Sequence, residues 1–156
     1  MRRFSYAVKT DITRLCAAAL GIVFCAAAQD VAPLIFGAKP PFLLALGCFA
    51  GIPTAIVAGL FADALGSMSF GCSAAFFAIV AAAVRFVPRG WATKVFCVVV
   101  AAGAYQLWIA LWFGVSTSPG AVLGAKCAAG VVAPAMYVAV KVARRWIGID
   151  FDRRRA

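Results

Sequence analysis

From residue 12 to residue 143 the chain is a succession of apolar stretches, separated by short links that hold most of its prolines. A helix rising 1.5 Å per residue needs about 20 apolar residues to cross a hydrocarbon core roughly 30 Å thick. The pattern therefore predicts repeated membrane crossings. Composition agrees: 65% of the 156 residues are hydrophobic, and the mean hydropathy is +1.00. Soluble domains are about 45–50% apolar, and a domain of this size leaves too much of its surface in water to hide the excess. The expectation is an all-α membrane protein, one integral membrane domain over residues 1–156, built as a bundle of about six transmembrane helices.

The first span is placed at about 12–29, opening with Arg14, whose long side chain can snorkel to headgroups. Arg2 and Arg3 before an apolar run that ends in Ala26-Ala27-Ala28 resemble a signal peptide, but Asp11 and Arg14 sit late for one, and a retained span is expected. A link from Asp30 to Pro41 follows. Residues 42–65 are ambiguous: one long helix, or two short ones broken at Gly51-Ile52-Pro53. The remaining spans are expected at about 70–87, 95–115 and 121–143, with turns at 66–71 and 116–120 and a loop at 88–90.

Charge separates the two readings of 42–65. Basic residues gather in cytoplasmic loops. The clusters are Arg2/Arg3/Lys9/Arg14, Arg85/Arg89/Lys94, and Lys141/Arg144/Arg145 with Arg153–Arg155. If residues 42–65 cross twice, all three fall on the same side, with both termini cytoplasmic. A single crossing would put Arg85/Arg89/Lys94 outside, so two crossings are expected. Two crossings in 24 residues cover only about 36 Å of helix, so their connection must lie within the membrane's depth, wrapped by the other helices.

Several functions are disfavoured by what the sequence lacks. With no histidine, the commonest general base and metal ligand are absent. The six cysteines are dispersed among the apolar stretches with no C-x-x-C pair, so they read as small hydrophobes. No phosphate loop, paired carboxylate or nucleophile–base pair is evident. No catalysis, cofactor or metal is expected. The net charge of +10 sits at segment ends, which suits anionic membrane lipid rather than nucleic acid.

Two charges within spans lie outside the basic clusters. Asp63 sits in an otherwise apolar helix, where a carboxylate is costly and usually marks an internal partner or a functional site; the plainer alternative is hydration near the helix end. Lys126 lies about six residues into the last span, at similar depth, so it could pair with Asp63 or snorkel outward. Gly66 and Gly71 could take positive φ and reverse the chain after Asp63, whose carboxylate could hold that turn by hydrogen-bonding neighbouring backbone or by pairing with Lys126. Small residues four apart, such as Gly47/Gly51, Ala55/Gly59 and Ala62/Gly66, allow close helix packing. Trp91, Trp108, Trp112, Trp146 and Tyr105 read as an aromatic belt.

The run Gly59-Leu60-Phe61-Ala62-Asp63-Ala64-Leu65-Gly66, followed by Gly71 and another apolar helix, resembles the rod-shape-determining protein MreD family, which shows a G-φ-φ-x-D-φ-φ-G turn and a later glycine. The flanks are similar too: Ile35-Phe36-Gly37-Ala38-Lys39-Pro40-Pro41 looks like the segment before the family's second span. Pro134 followed by Lys141, Arg144 and Arg145 looks like its last helix and basic tail. Phe42 follows the prolines where the family often has an acidic or amide residue, and Lys126 has no family counterpart. The resemblance implies a non-enzymatic scaffold of the bacterial cell-elongation machinery in the inner membrane. Its partner would be an MreC-like protein, linking it to MreB filaments, a RodA-like glycosyltransferase and a penicillin-binding transpeptidase. It also implies the fold of the substrate-binding subunits of energy-coupling-factor vitamin transporters, and Gly59, Asp63, Gly66, Gly71 and Pro134 as positions of structural or interaction weight.

A small-molecule-binding subunit of a vitamin transporter is the alternative. Such a site needs several polar groups converging on a pocket. The spans offer few: Asp63, Lys126, Gln106, Ser73 and Tyr105.

Overall fold

The computed structural model describes residues 2–32, 39–66, 71–87, 90–114 and 116–146, with side-chain surroundings from Leu15 onward except at Trp146. The residues that carry the Ile35–Ala38 flank, the tip of the turn after Gly66, Pro88-Arg89 and the Arg153–Arg155 tail lie outside them, as do the side chains of Arg2, Arg3, Lys9 and Arg14.

Six helices make up the described fold: α1 Arg2–Val31, α2 Phe42–Ala50, α3 Ile52–Gly66, α4 Cys72–Phe86, α5 Trp91–Phe113 and α6 Pro119–Trp146. Two of them, α5 and α6, contain segments long and apolar enough to cross a membrane (Trp91–Phe113 and Pro119–Arg145); the apolar parts of α1, α3 and α4 are shorter. Two boundaries differ from the sequence expectation for one reason. Nothing between Arg2 and Thr10 stops a helix, and the same holds from Trp91 to Lys94, so α1 and α5 extend past their apolar parts into polar segments.

Residues 42–65 form two helices, not one. Gly51 has φ +126, a conformation few other residues accept, and it sits between α2 and α3. A Cβ added to Gly47 would come within 2.8 Å of the Ala55 Cα. In a continuous helix those residues would be about 12 Å apart, so α3 folds back on α2. The nine residues of α2 span only about 14 Å. The missing Cβ of Gly47 lets the two backbones touch just before the reversal.

This hairpin is the centre of the molecule. Leu43, Leu44 and Ala45 of α2 are at most 1% exposed, and Ala55 and Ala58 of α3 are fully buried. Around it the core is built largely from alanine, including Ala81, Ala102, Ala129 and Ala133. Small side chains bring helix backbones close. Many large apolar side chains point the other way: Phe24, Phe86, Leu111 and Val131 are each at least 75% exposed. Alanine supplies much of the inside, while many phenylalanine, leucine and valine side chains stand on the outside.

The ends of the bundle differ. At one end Arg85 closes α4, Lys94 lies in the first turn of α5, and Lys141, Arg144 and Arg145 lie near the end of α6. There Arg144 donates to the carbonyls of Phe49 at 2.6 Å and Ala50 at 3.2 Å, capping the last turn of α2. At the other end Gln29 of α1 accepts the Leu43 N–H at 3.3 Å, and Lys39 pairs with Asp30 at 3.1 Å. Pro134 lies within α6, which continues through it to Trp146 despite the missing N–H.

Candidate functional site

Asp63 is 1% exposed. It sits three residues before the end of α3, yet it is not hydrated there. Its carboxylate reaches across the turn to the start of α4. Oδ2 accepts the Gly71 N–H at 2.8 Å, and Oδ1 accepts the Ser73 N–H at 2.9 Å. Gly71 is the N-cap of α4, with φ +99. Its left-handed backbone turns its own N–H and the Ser73 N–H toward one point. A carboxylate at a helix N-terminus also meets the positive end of the helix dipole. Charge-assisted bonds contribute roughly 1.5–3 kcal/mol each, comparable to the several kcal/mol that burying a carboxylate costs.

The spacing of Gly59 and Asp63 follows from this geometry. The two are four residues apart and share one face of α3. A Cβ on Gly59 would lie 2.6 Å from the Ala74 backbone nitrogen and 2.8 Å from the Ser73 carbonyl carbon. The backbones of α3 and α4 therefore touch at Gly59, and that contact brings Asp63, one turn further on, within reach of the first turn of α4.

A second layer closes over α4 from α5. The hydroxyls of Ser73 and Tyr105 are hydrogen-bonded, and Trp108 Nε1 donates to the Cys72 carbonyl at 3.2 Å. Phe76 packs against both rings, at centroid distances of 5.3 and 5.7 Å, and Phe77 packs against Tyr105 at 5.4 Å. Trp108 and Trp112 meet edge to face at 6.1 Å. Asp63, Ser73 and Tyr105 thus form one chain of polar contacts through three helices.

Three expectations are corrected. Lys126 does not pair with Asp63: it lies on α6 with its aliphatic stem over Gly103 of α5, its residue exposed, while Asp63 is spent on backbone donors. Gly66 is the last helical residue of α3, so of the two glycines only Gly71 takes positive φ. Tyr105 and Trp108 are half-buried packing residues bonded to α4, whereas Trp91 and Trp112, 60% and 61% exposed, stay on the outside as a belt requires. The cysteines are all unpaired; Cys25, Cys48 and Cys72 are buried, but Cys16 and Cys127 face outward.

The roles of Ser73, Tyr105 and Trp108 were missed from sequence. A signal existed, since residues 105, 108 and 112 recur at helical spacing on one face of α5.

Two concavities stand out among the described residues. One, of about 80 Å³, lies beside the Tyr105 layer, between Gln29, Lys39, Leu44, Phe77, Tyr105 and Gln106. The other, about 890 Å³, opens at the basic end. Among the described residues no group of three His, Cys, Asp or Glu side chains could hold a metal ion.

The chain matches no family model, no curated protein and no solved structure.

Proposed function

We propose that this chain is a non-enzymatic membrane scaffold resembling the MreD family, lying in a bacterial inner membrane as six crossings with both termini cytoplasmic. The observation that carries the reading is the use of the polar groups inside the bundle. Asp63, the carboxylate of the motif, is consumed by two backbone donors of its own chain. Ser73 and Tyr105 are consumed by each other. The space beside them, about 80 Å³, is far below the 300–1,000 Å³ of typical ligand pockets. This supports a part that holds a shape over one that binds a vitamin among these residues.

Membrane residence rests on the two long apolar helices and the apolar exterior. The six-crossing topology rests on the reversal at Gly51 and on Arg85, Lys94 and Arg144 sharing one end. By the resemblance, the partner is an MreC-like protein, and through it MreB filaments, a RodA-like glycosyltransferase and a penicillin-binding transpeptidase.

The test is purification of the full chain from bacterial membranes, with identification of what accompanies it. Stoichiometric recovery of an MreC-like protein is expected. Recovery of a stoichiometric vitamin, with no such protein, would overturn the reading in favour of a transporter subunit.

A further inference from the structure

We propose that the cavity at the basic end is a binding site for the phosphate-bearing headgroup of an anionic membrane lipid. The inference rests on the membrane reading above, which sets this end at the level of the headgroups.

The cavity exists because the α2–α3 hairpin is short. Phe49 to Thr54, the hairpin tip, forms one side, and α1, α4 and α6 stand around it, leaving about 890 Å³. Its lining has two characters. Leu46, Ile52, Ala81, Val84 and Val140 supply aliphatic surface, and Arg85, Lys94, Lys141, Arg144 and Arg145 supply five cations. No carboxylate is among the described residues that line it. Arg144 already holds the Phe49 and Ala50 carbonyls, so part of its charge answers the negative end of α2. The other four have no such protein acceptor among the described residues. Cations gathered around a concave, half-apolar surface attract one another's counter-ion into it. A basic recess between membrane helices at the cytoplasmic side suits a lipid headgroup. The aliphatic half of the lining decides between a lipid and a small inorganic anion, because it offers nothing to phosphate but matches glycerol and the first acyl carbons.

The test uses the full chain in a neutral detergent. Membrane fractionation comes first, so that loss of the membrane reading is seen separately from loss of the site. Retention of phosphatidylglycerol, phosphatidylcholine and inorganic phosphate is then compared by native mass spectrometry and thermal shift. Phosphatidylglycerol should be retained over phosphatidylcholine, and phosphate alone at equal concentration should have no effect. R85Q/K141Q/R145Q, which leaves Arg144 on α2, should lower phosphatidylglycerol retention by about tenfold or more, given roughly 1 kcal/mol per basic residue near a membrane surface. K39Q, at the opposite end, should not. The charge-keeping R85K/K141R/R145K should restore retention, and the single variant K141Q gives the same direction if the triple variant fails to fold. Equal retention of the two lipids, or wild-type retention by the charge-neutralised variants, would overturn the proposal. A phosphate effect matching that of phosphatidylglycerol would overturn the assignment to lipid.

Discussion

Asp63 is held by two donors, and each of its oxygens accepts one. That arrangement distinguishes between substitutions. Asp63→Ala strands the buried Ser73 N–H and the part-buried Gly71 N–H and should cost about 2–4 kcal/mol. Asp63→Asn keeps one acceptor oxygen but turns an NH₂ toward the other N–H, so it should lose roughly 1–3 kcal/mol rather than behave as a mild change. Lys126→Ala removes neither bond and should stay within about 0.5 kcal/mol. Thermal unfolding of the purified chain in detergent reads all three, and a Lys126→Ala loss equal to that of Asp63→Ala would restore the ion pair. The sequence made Asp63 conspicuous because a charge in an apolar helix is rare. That its carboxylate could bond neighbouring backbone at the turn was readable; which N–H groups it takes, those of Gly71 and Ser73, was not, because backbone donors carry no side-chain signature. Lys126 was the visible cation, and visibility favoured the wrong pair.

At the scale of helices, two contacts depend on a missing Cβ: Gly47 on Ala55 and Gly59 on Ala74. Gly59→Ala should force α3 and α4 apart, draw Asp63 away from Ser73, and destabilise the chain by about 1–3 kcal/mol. Gly130→Ala is the matched control. It also lies in a helix, but its Cβ would meet nothing within 4 Å, so the better helix former should be neutral or slightly stabilising. Thermal unfolding of the two variants side by side decides; equal effects would mean that the α3–α4 contact is not tight. Small residues four apart were readable in the sequence, yet Gly47 and Gly51 show why they are poor guides individually: a Cβ on the first would strike Ala55, and one on the second would meet nothing within 4 Å. In a chain rich in alanine and glycine, only the fold tells which ones touch a backbone. The break at Gly51 was readable as one of two alternatives from Gly-Ile-Pro, and the placing of the basic clusters favoured the one in which the chain returns. The fold-back is set by packing of α2 against α3 and α6, which is long-range information.

For the whole molecule, the reversal at Gly51 puts Arg85 and Lys94 at the end where Arg144 caps α2. Reporter fusions after Arg89 and after Ala156 should both read cytoplasmic, and a periplasmic signal after Arg89 would exclude two crossings within residues 42–65. The bundle's use as a scaffold is tested most directly by capture of an MreC-like partner at matched membrane levels. If the Asp63 cap shapes the surface that the partner meets, Asp63→Ala should insert normally, because it makes α3 more apolar, and should lose most of the capture. Asp63→Asn should fall between it and the parent, and Lys126→Ala should capture as the parent does. Full capture by Asp63→Ala at normal expression would contradict the account, since the buried carboxylate would then serve folding of the turn and nothing beyond it.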